Sequence, residues 1–175
     1  MSIENLKDSL PEYAKDLKLN LSSLLTTSDL TEQQLWGSIL AAALASRNAN
    51  VIKVINEECK QHLNEAALNA VKAAAAIMAM NNIYYRFTHL ASNKEYSTMP
   101  AGLRMNILAK HGVDKADFEM WSLVVSAING CSACMDAHEK QLLKHGLSIS
   151  SVQAAVRVAS IVHAVAVTLE NAESL

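Results

Sequence analysis

The sequence is poor in residues that break a helix or cross-link a chain. Its 175 residues include five glycines, two prolines and three cysteines, and aromatic residues make up 5%. Three cysteines are too few, and odd in number, for the disulfide framework of a small secreted domain. Hydrophobic residues nevertheless make up 51%, so the core must consist mainly of Ala, Leu, Val, Ile and Met. This composition predicts an all-α protein.

Excess charge and long apolar runs are also scarce. The formal net charge is −2, and no cluster of Lys and Arg interleaved with aromatics occurs, so we expect no nucleic-acid partner. The N-terminal stretch 1–21 mixes charged and apolar residues and lacks the apolar core of a signal peptide. The longest uninterrupted apolar run, at 73–80, is much shorter than a membrane span. We therefore expect a cytoplasmic protein with no membrane partner.

The spacing of apolar residues and breakers predicts a helical chain from end to end. The stretch beginning at Ser28 favours a capped start for a helix that ends at Ser46. The other helices are predicted at about 11–25, 51–62, 64–86, 100–110, 115–128, 131–144 and 150–170.

The length favours a single domain over residues 1–175, within which two halves are recognisable. The polar stretch ASNKEYSTMP is the longest connection, and it separates halves of about 1–92 and 93–175. AVKAAAAIMAM at 70–80 matches AVRVASIVHAV at 155–165 in spacing and small apolar character. The two halves are therefore predicted to be copies of one helical unit.

The predicted register of this duplication assigns different roles to its two halves. It aligns Val51 and Val54 with Cys131 and Cys134. The first half would then use the aligned helix for packing, while the second half carries the chemistry.

The stretch SAINGCSACMDAHEK contains the chemically distinctive residues. At about 100° per residue, Cys131, Cys134 and His138 lie on one narrow helix face. The preceding Asn-Gly is a natural helix start, where unpaired N–H groups and the helix dipole favour a thiolate. A Cys-x-x-Cys pair there closes into a disulfide with little rearrangement, and His138 is placed to take or return the proton of Cys134. The stretch predicts a redox-active dithiol.

Two other interpretations of the cysteine pair compete with the redox one. A structural zinc site would need His138 and a fourth ligand such as Cys59 or His163, but the sequence has no second Cys-x-x-Cys and no His-x-x-x-His pair. The cysteines could also be buried core thiols, although the polar neighbours Ser132 and Asp136 argue against it. The redox interpretation is favoured over both.

Three further residues are interpreted more simply on the sequence alone. Glu119, on the helix before the cysteine pair, is taken as a solvated helix carboxylate. His163 is taken as a core histidine, and Cys59 is given no role. No Gly-rich phosphate loop, nucleophile elbow or paired-carboxylate motif is present, so no bound cofactor is expected.

The motif Cys-x-x-Cys-x-x-x-His after Asn-Gly, in a helical chain of this length with a duplicated unit, resembles the AhpD-like alkylhydroperoxidases of the carboxymuconolactone decarboxylase-like superfamily. The N-terminal stretch 1–21 and FEMWSLVVSAINGCSACMDAHEKQL at 118–142 carry the resemblance, which spans nearly the whole chain. The resemblance implies a compact AhpD-like helical domain that assembles as a homotrimer. One departure is Ala133, where well-known members have a histidine, so a proton donor is missing.

The resemblance also implies an activity and its residues. Such proteins act in bacterial antioxidant defence: they pass electrons from the dihydrolipoyl group of a 2-oxoacid dehydrogenase component to the peroxiredoxin AhpC, and they reduce organic hydroperoxides more weakly themselves. By this resemblance, Cys134 meets the peroxide or partner disulfide and Cys131 resolves it. Glu119 and His138 would form a proton relay, which replaces the simpler interpretation of Glu119.

Two alternative functions stay open on the sequence. A decarboxylase of the same superfamily would act on a carboxymuconolactone-type ring, but that reaction has no evident need for a dithiol. A non-enzymatic helical module stabilised by zinc is the other alternative.

Overall fold

The computed structural model describes residues 2–26 and 29–174, and this part of the chain is helical without any strand. The all-α prediction is therefore confirmed. Short 3-10 turns lie at Glu12–Ala14, Lys94–Ser97 and Asn106–Ala109. The described α-helices are α1 Ile3–Ser9, α2 Lys15–Leu24, α3 Glu32–Ser46, α4 Ala49–Cys59, α5 Glu65–Leu90, α6 Lys115–Ile128, α7 Ser132–Lys144 and α8 Ile149–Ser174.

Side-chain caps determine where the central helices begin. Thr31 starts α3 with a capping box, in which its hydroxyl accepts from the Gln34 N–H and the Gln34 side chain accepts from the Thr31 N–H. Asn48 and Asn64 cap α4 and α5 by accepting from the N–H three residues later. The predicted start at Ser28 lies outside the described residues.

The predicted helix at 100–110 is wrong. Pro100–Met105 is irregular, and only the 3-10 turn at Asn106–Ala109 follows. Gly102 adopts φ 67°, a left-handed conformation that an α-helix excludes. No residue from 91 to 115 is buried, so this segment lacks the fully buried apolar stripe that would hold a helix against the core.

Helix α3 lies at the centre of the protein and packs against α5, α6 and α8. Its residues Ile39–Ala43 are all fully buried, and the run of alanines lets neighbouring helices approach closely. Gly37 lies directly against the indole of Trp121 on α6, where a Cβ atom would overlap the ring. The close packing of α3 on α6 sets the position of α6, which carries Glu119.

The order α3–α4–α5 is followed by a similar order α6–α7–α8. The first three helices have 15, 11 and 26 residues, and the second three have 14, 13 and 26. The duplication stays a prediction, but its register changes: by cap position Asn48 corresponds to Cys131, and Val51 to Cys134. The predicted alignment of Val51 with Cys131 is thus displaced by one turn of helix.

Among the described helices, α8 is long and apolar enough to cross a bilayer by length and composition alone. However, 56% of its most apolar window is buried inside the protein, as expected of a core helix. The length of α8 is therefore weak evidence for a membrane span.

Candidate active site

The two cysteines of the motif are joined at the start of α7. Cys131 and Cys134 form a disulfide, with their Cα atoms 5.3 Å apart. Cys131 is the N-cap residue of α7, and its Sγ accepts from the backbone N–H of Cys134 at 3.3 Å. Gly130 precedes it with φ 67°, so the chain turns from α6 to α7 through a conformation that favours glycine. The turn places one sulfur at the positive end of a helix dipole.

The two sulfurs differ in their access to solvent. Cys131 is 0% exposed, whereas Cys134 is 6% exposed and lines a cavity of about 340 Å³. A reactant that enters this cavity therefore meets Cys134 first. The cavity is lined by Met78, Asn81, Tyr85, Met105, Leu108, Ala133, Cys134, Ala137 and His138.

His138 and Glu119 form a partly buried pair between α7 and α6. Nδ1 of His138 lies 2.7 Å from Oε2 of Glu119, and the two side chains are 13% and 14% exposed. Burial by itself raises the pKa of Glu119, but the hydrogen bond and charge of His138, together with Lys115 at 3.5 Å, outweigh it and hold this pKa below its ordinary value. Glu119 is thus a carboxylate that accepts from Nδ1–H, which leaves Nε2 to exchange protons.

Met78 on α5 contacts the other side of the imidazole. Its Sδ lies 3.3 Å from Nε2 of His138, so the ring is held between a carboxylate and a thioether. His138 and Cys134 are one helical turn apart and line the same cavity. Within the described part of the chain, neither ring nitrogen hydrogen-bonds to a cysteine sulfur. A proton transfer between them needs a small movement or a bridging reactant.

A hydrogen-bonded network from α5 holds the turn that carries the cysteines. The Asn82 side chain donates to Ser126 Oγ at 2.9 Å and accepts from Asn129 Nδ2 at 2.9 Å. Arg86, one turn further along α5, donates to the backbone carbonyl of Asn129 at 2.6 Å. Asn82 and Ser126 are fully buried. The first half of the chain therefore positions the dithiol of the second half.

The hydrogen bonds from α5 to the α6–α7 turn were not predicted from the sequence. The available signal was a pair of asparagines, Asn81 and Asn82, directly after the apolar run at 73–80. Buried amides are usually retained for specific hydrogen bonds, which the apolar pattern alone does not locate. Ser126 and Asn129, the partners of Asn82, lie 44 and 47 positions away along the chain.

The structure brings Cys131, Cys134, His138 and Glu119 to one place, whereas Cys59 and His163 bond elsewhere. Cys59 is buried with its Sγ 3.5 Å from the Trp36 carbonyl oxygen, and burial raises its pKa to about 12. The interpretation of His163 as a core histidine is wrong. It is exposed because it points outward from α8, and Nδ1 lies 3.1 Å from Ser46 Oγ.

These contacts give the zinc interpretation no support. Within residues 2–26 and 29–174, no group of three His, Cys, Asp or Glu side chains is arranged to hold a metal ion. The residues considered as the fourth ligand, Cys59 and His163, contact Trp36 and Ser46 instead.

The fold and the site define an all-helical protein with a Cys-x-x-Cys disulfide beside a histidine–glutamate pair. Residues 94–173 match the carboxymuconolactone decarboxylase family. The alkyl hydroperoxide reductase AhpD of Maricaulis maris is 60% identical over 169 residues, which is 97% of this chain and 98% of that protein. The proteins of the same name from Rhodopseudomonas palustris and Streptomyces griseus are 58% and 54% identical to this chain. Each match spans 97% of this chain, and the matches span 94% and 96% of the two relatives, respectively. This chain therefore belongs to the AhpD family, which confirms the resemblance.

Proposed function

We propose that this protein is a thiol-dependent alkyl hydroperoxide reductase of cytoplasmic antioxidant defence, acting through a dithiol–disulfide cycle of Cys131 and Cys134. The observation that carries the proposal is a disulfide whose outer sulfur faces a cavity, with a carboxylate-paired histidine in the same wall. The relatives at 54–60% identity are alkyl hydroperoxide reductases by name, which supports the same activity.

The peroxide step begins with both cysteines reduced. His138, oriented by Glu119, takes the proton of the Cys134 thiol. The thiolate attacks the terminal oxygen of the hydroperoxide, the O–O bond breaks, and the alkoxide takes a proton from His138 to leave as the alcohol. Cys134 is then a sulfenic acid. The exposure of Cys134, compared with 0% for Cys131, supports this assignment of the two sulfurs.

Cys131 resolves the sulfenic acid. Its sulfur attacks Sγ of Cys134, the S–O bond breaks, and the hydroxide leaves as water with the proton of the Cys131 thiol. The disulfide needs no movement of the chain because Cys131 caps the helix on which Cys134 lies, with 5.3 Å between their Cα atoms.

Reduction starts at the same cysteine, which lines the cavity. A thiolate of a dihydrolipoyl group on a 2-oxoacid dehydrogenase component attacks Sγ of Cys134, and Cys131 leaves as a thiolate. The Cys134 N–H and the start of α7 stabilise that thiolate, which makes Cys131 the better leaving group. The second dihydrolipoyl thiol then displaces Cys134, and the lipoyl disulfide is released. No bound cofactor is part of this proposal.

The same dithiol would reduce a partner protein. In this branch, the Cys134 thiolate attacks the disulfide of oxidised AhpC peroxiredoxin, and Cys131 then releases the reduced peroxiredoxin. Ala133 supports this branch relative to direct peroxide reduction, because its methyl group in the cavity wall offers no proton to a leaving alkoxide.

We also propose that the protein assembles as a homotrimer. Large apolar side chains stand exposed on the outer side of α5 and beyond its end, as expected of a face that another subunit covers. Ile83, Phe87, Leu90 and Met99 are 60%, 53%, 69% and 60% exposed. Sedimentation equilibrium should show three chains per particle, and Phe87→Asp should shift the protein toward monomer; a wild-type monomer would contradict the proposal.

Mass-spectrometric thiol counting tests the redox cycle. The tryptic peptide 116–140 carries both Cys131 and Cys134. It should lose two hydrogen atoms after stoichiometric cumene hydroperoxide and regain them with dihydrolipoamide. The Cys131→Ser protein should accumulate a sulfenic acid on Cys134 that dimedone traps, and Cys134→Ser should abolish turnover.

Two results would overturn the proposal in different ways. Thiols that stay reduced under peroxide, with one zinc per chain, would favour the metal-stabilised module. Decarboxylation of a carboxymuconolactone that survives alkylation of both thiols would favour the chemistry named by the matching family.

A further inference from the structure

Asn81 brings an unpaired polar atom next to the dithiol cavity. Its side chain lines the cavity together with Cys134 and His138, and the residue is only 4% exposed. Within the described part of the chain, its Oδ1 atom is buried without a hydrogen-bond partner. Buried amide oxygens are nearly always paired, so this oxygen needs a donor that the protein itself does not supply.

The neighbouring asparagine, Asn82, has a different role. Asn82 is also buried, but its amide donates to Ser126 and accepts from Asn129. Asn82 therefore serves the structure of the α6–α7 turn. Asn81 points to a ligand instead.

Asn81 lies at the reacting end of the cavity. It follows Met78 by three residues on α5, and the Met78 sulfur contacts Nε2 of His138 at 3.3 Å. Side chains three residues apart on a helix are neighbours. The remaining wall is largely apolar, with Met105, Leu108, Ala133 and Ala137. The cavity thus suits an apolar molecule with one polar end next to Cys134.

We propose that Asn81 is a substrate-binding residue: a turn of its amide brings the unpaired Oδ1 into the cavity, where it accepts a hydrogen bond from the O–H group of an organic hydroperoxide. The inference rests on the proposed peroxidase function and adds how the substrate is held. The hydrogen stays on the oxygen that Cys134 attacks, so this bond directs that oxygen to the sulfur while the alkyl group lies among the apolar side chains. Dihydrolipoyl thiols are weak donors, and the lipoyl amide is several methylenes from the sulfurs, so the reductant gains little from Asn81.

Separate measurement of the two half-reactions tests the proposal. Asn81→Leu removes the acceptor at similar size, and Asn81→Ala removes it without risk of overpacking. In the first measurement, each reduced protein is mixed with cumene hydroperoxide. In the second, each disulfide-bonded protein is mixed with dihydrolipoamide. Thiols are counted over time in both. In both variants, the second-order rate constant for oxidation should fall about ten-fold, as expected for the loss of one hydrogen bond. The rate constant for reduction should stay within about two-fold of the wild-type value.

The control is Asn64→Ala, which removes the N-cap of the same helix outside the cavity. It should leave both rate constants unchanged, while circular dichroism confirms that all variants fold. Oxidation at the wild-type rate in both Asn81 variants, or slowing confined to reduction, would overturn the role of Asn81. Failure of the wild-type dithiol to react with peroxide would instead overturn the proposed function.

Discussion

The Glu119 carboxylate on α6 lies 2.7 Å from Nδ1 of His138 on α7. This hydrogen-bonded pair links the helix before the dithiol to the helix that carries it, and its two side chains are largely shielded from solvent. Because Glu119 accepts from Nδ1, the proton-exchanging nitrogen of the ring is Nε2, at the Met78 end of the cavity. The pair thus determines which ring nitrogen transfers the proton in the proposed cycle.

The contact between Glu119 and His138 should make the free energy of unfolding depend on pH in the acid range. Since the folded-state pKa of Glu119 is held below its ordinary value of 4.5, its contribution is present above that value and is lost as pH falls through the folded pKa. Urea unfolding should therefore show a steeper loss of free energy of unfolding below about pH 4.5 for the wild type than for Glu119→Gln. Equal slopes for the two proteins would show that the contacts of Glu119 with His138 and Lys115 do not stabilise its carboxylate.

Removal of His138 should slow thiol oxidation. We expect His138→Ala to lower the rate of reaction with hydroperoxide about a hundred-fold at neutral pH, as for loss of a general base. Part of the rate should return at higher pH, where the Cys134 thiol ionises unaided. His145→Ala, at an exposed residue after α7, is the control. Stopped-flow pH–rate profiles of the same shape for His138→Ala and the wild type would contradict the relay.

Loss of the buried amide of Asn82 should affect both stability and redox potential. Asn82→Ala leaves Ser126 and Asn129 without their partner, at a cost of about 1–3 kcal/mol in free energy of unfolding. A looser turn weakens the helix-start stabilisation of the Cys131 thiolate, so the reduction potential should become more negative. Glutathione titration measures this shift. Asn64→Ala should lower stability without it, and an equal shift in that control would refute the positioning role.

The contact of Gly37 with Trp121 should tolerate no side chain. Gly37→Ala places a Cβ atom into the indole and should lower the free energy of unfolding by about 1–3 kcal/mol, despite the better helix propensity of alanine. The cost should shrink in a Trp121→Leu background, which a double-mutant cycle measures. Additive effects would mean that the two residues do not contact each other.

Cys59 should be silent in thiol chemistry. Burial raises its pKa to about 12, so the thiol stays protonated at neutral pH and is shielded from reagents. Iodoacetamide should label Cys134, which lines the cavity, in the reduced native protein, and should label Cys59 only after unfolding. Rapid native labelling of Cys59 would show that α4 opens readily.

The site residues differ in how far the sequence could predict them. The alignment of Cys131, Cys134 and His138 on one face follows from helix geometry, which is a local property. The sequence alone favoured a solvated Glu119, and only the family resemblance suggested its partner, because His138 is 19 positions away. The contacts of Met78 and Asn82 were not predicted, because they join residues that lie 44 to 60 positions apart in the sequence.

The sequence by itself determined the all-helical class and the spacing of the dithiol motif, because both depend on residues within a few turns of one another. Tertiary structure decided the rest. The segment 100–110 did not become a helix because none of its residues is fully buried in the core. His163 faces outward because α8 buries other residues against α3 and α6. The packing of α5 against the α6–α7 turn forms the cavity that joins the dithiol to His138 and to the unpaired amide of Asn81. The sequence motif does not predict this cavity, since helix packing depends on side-chain shape along whole faces.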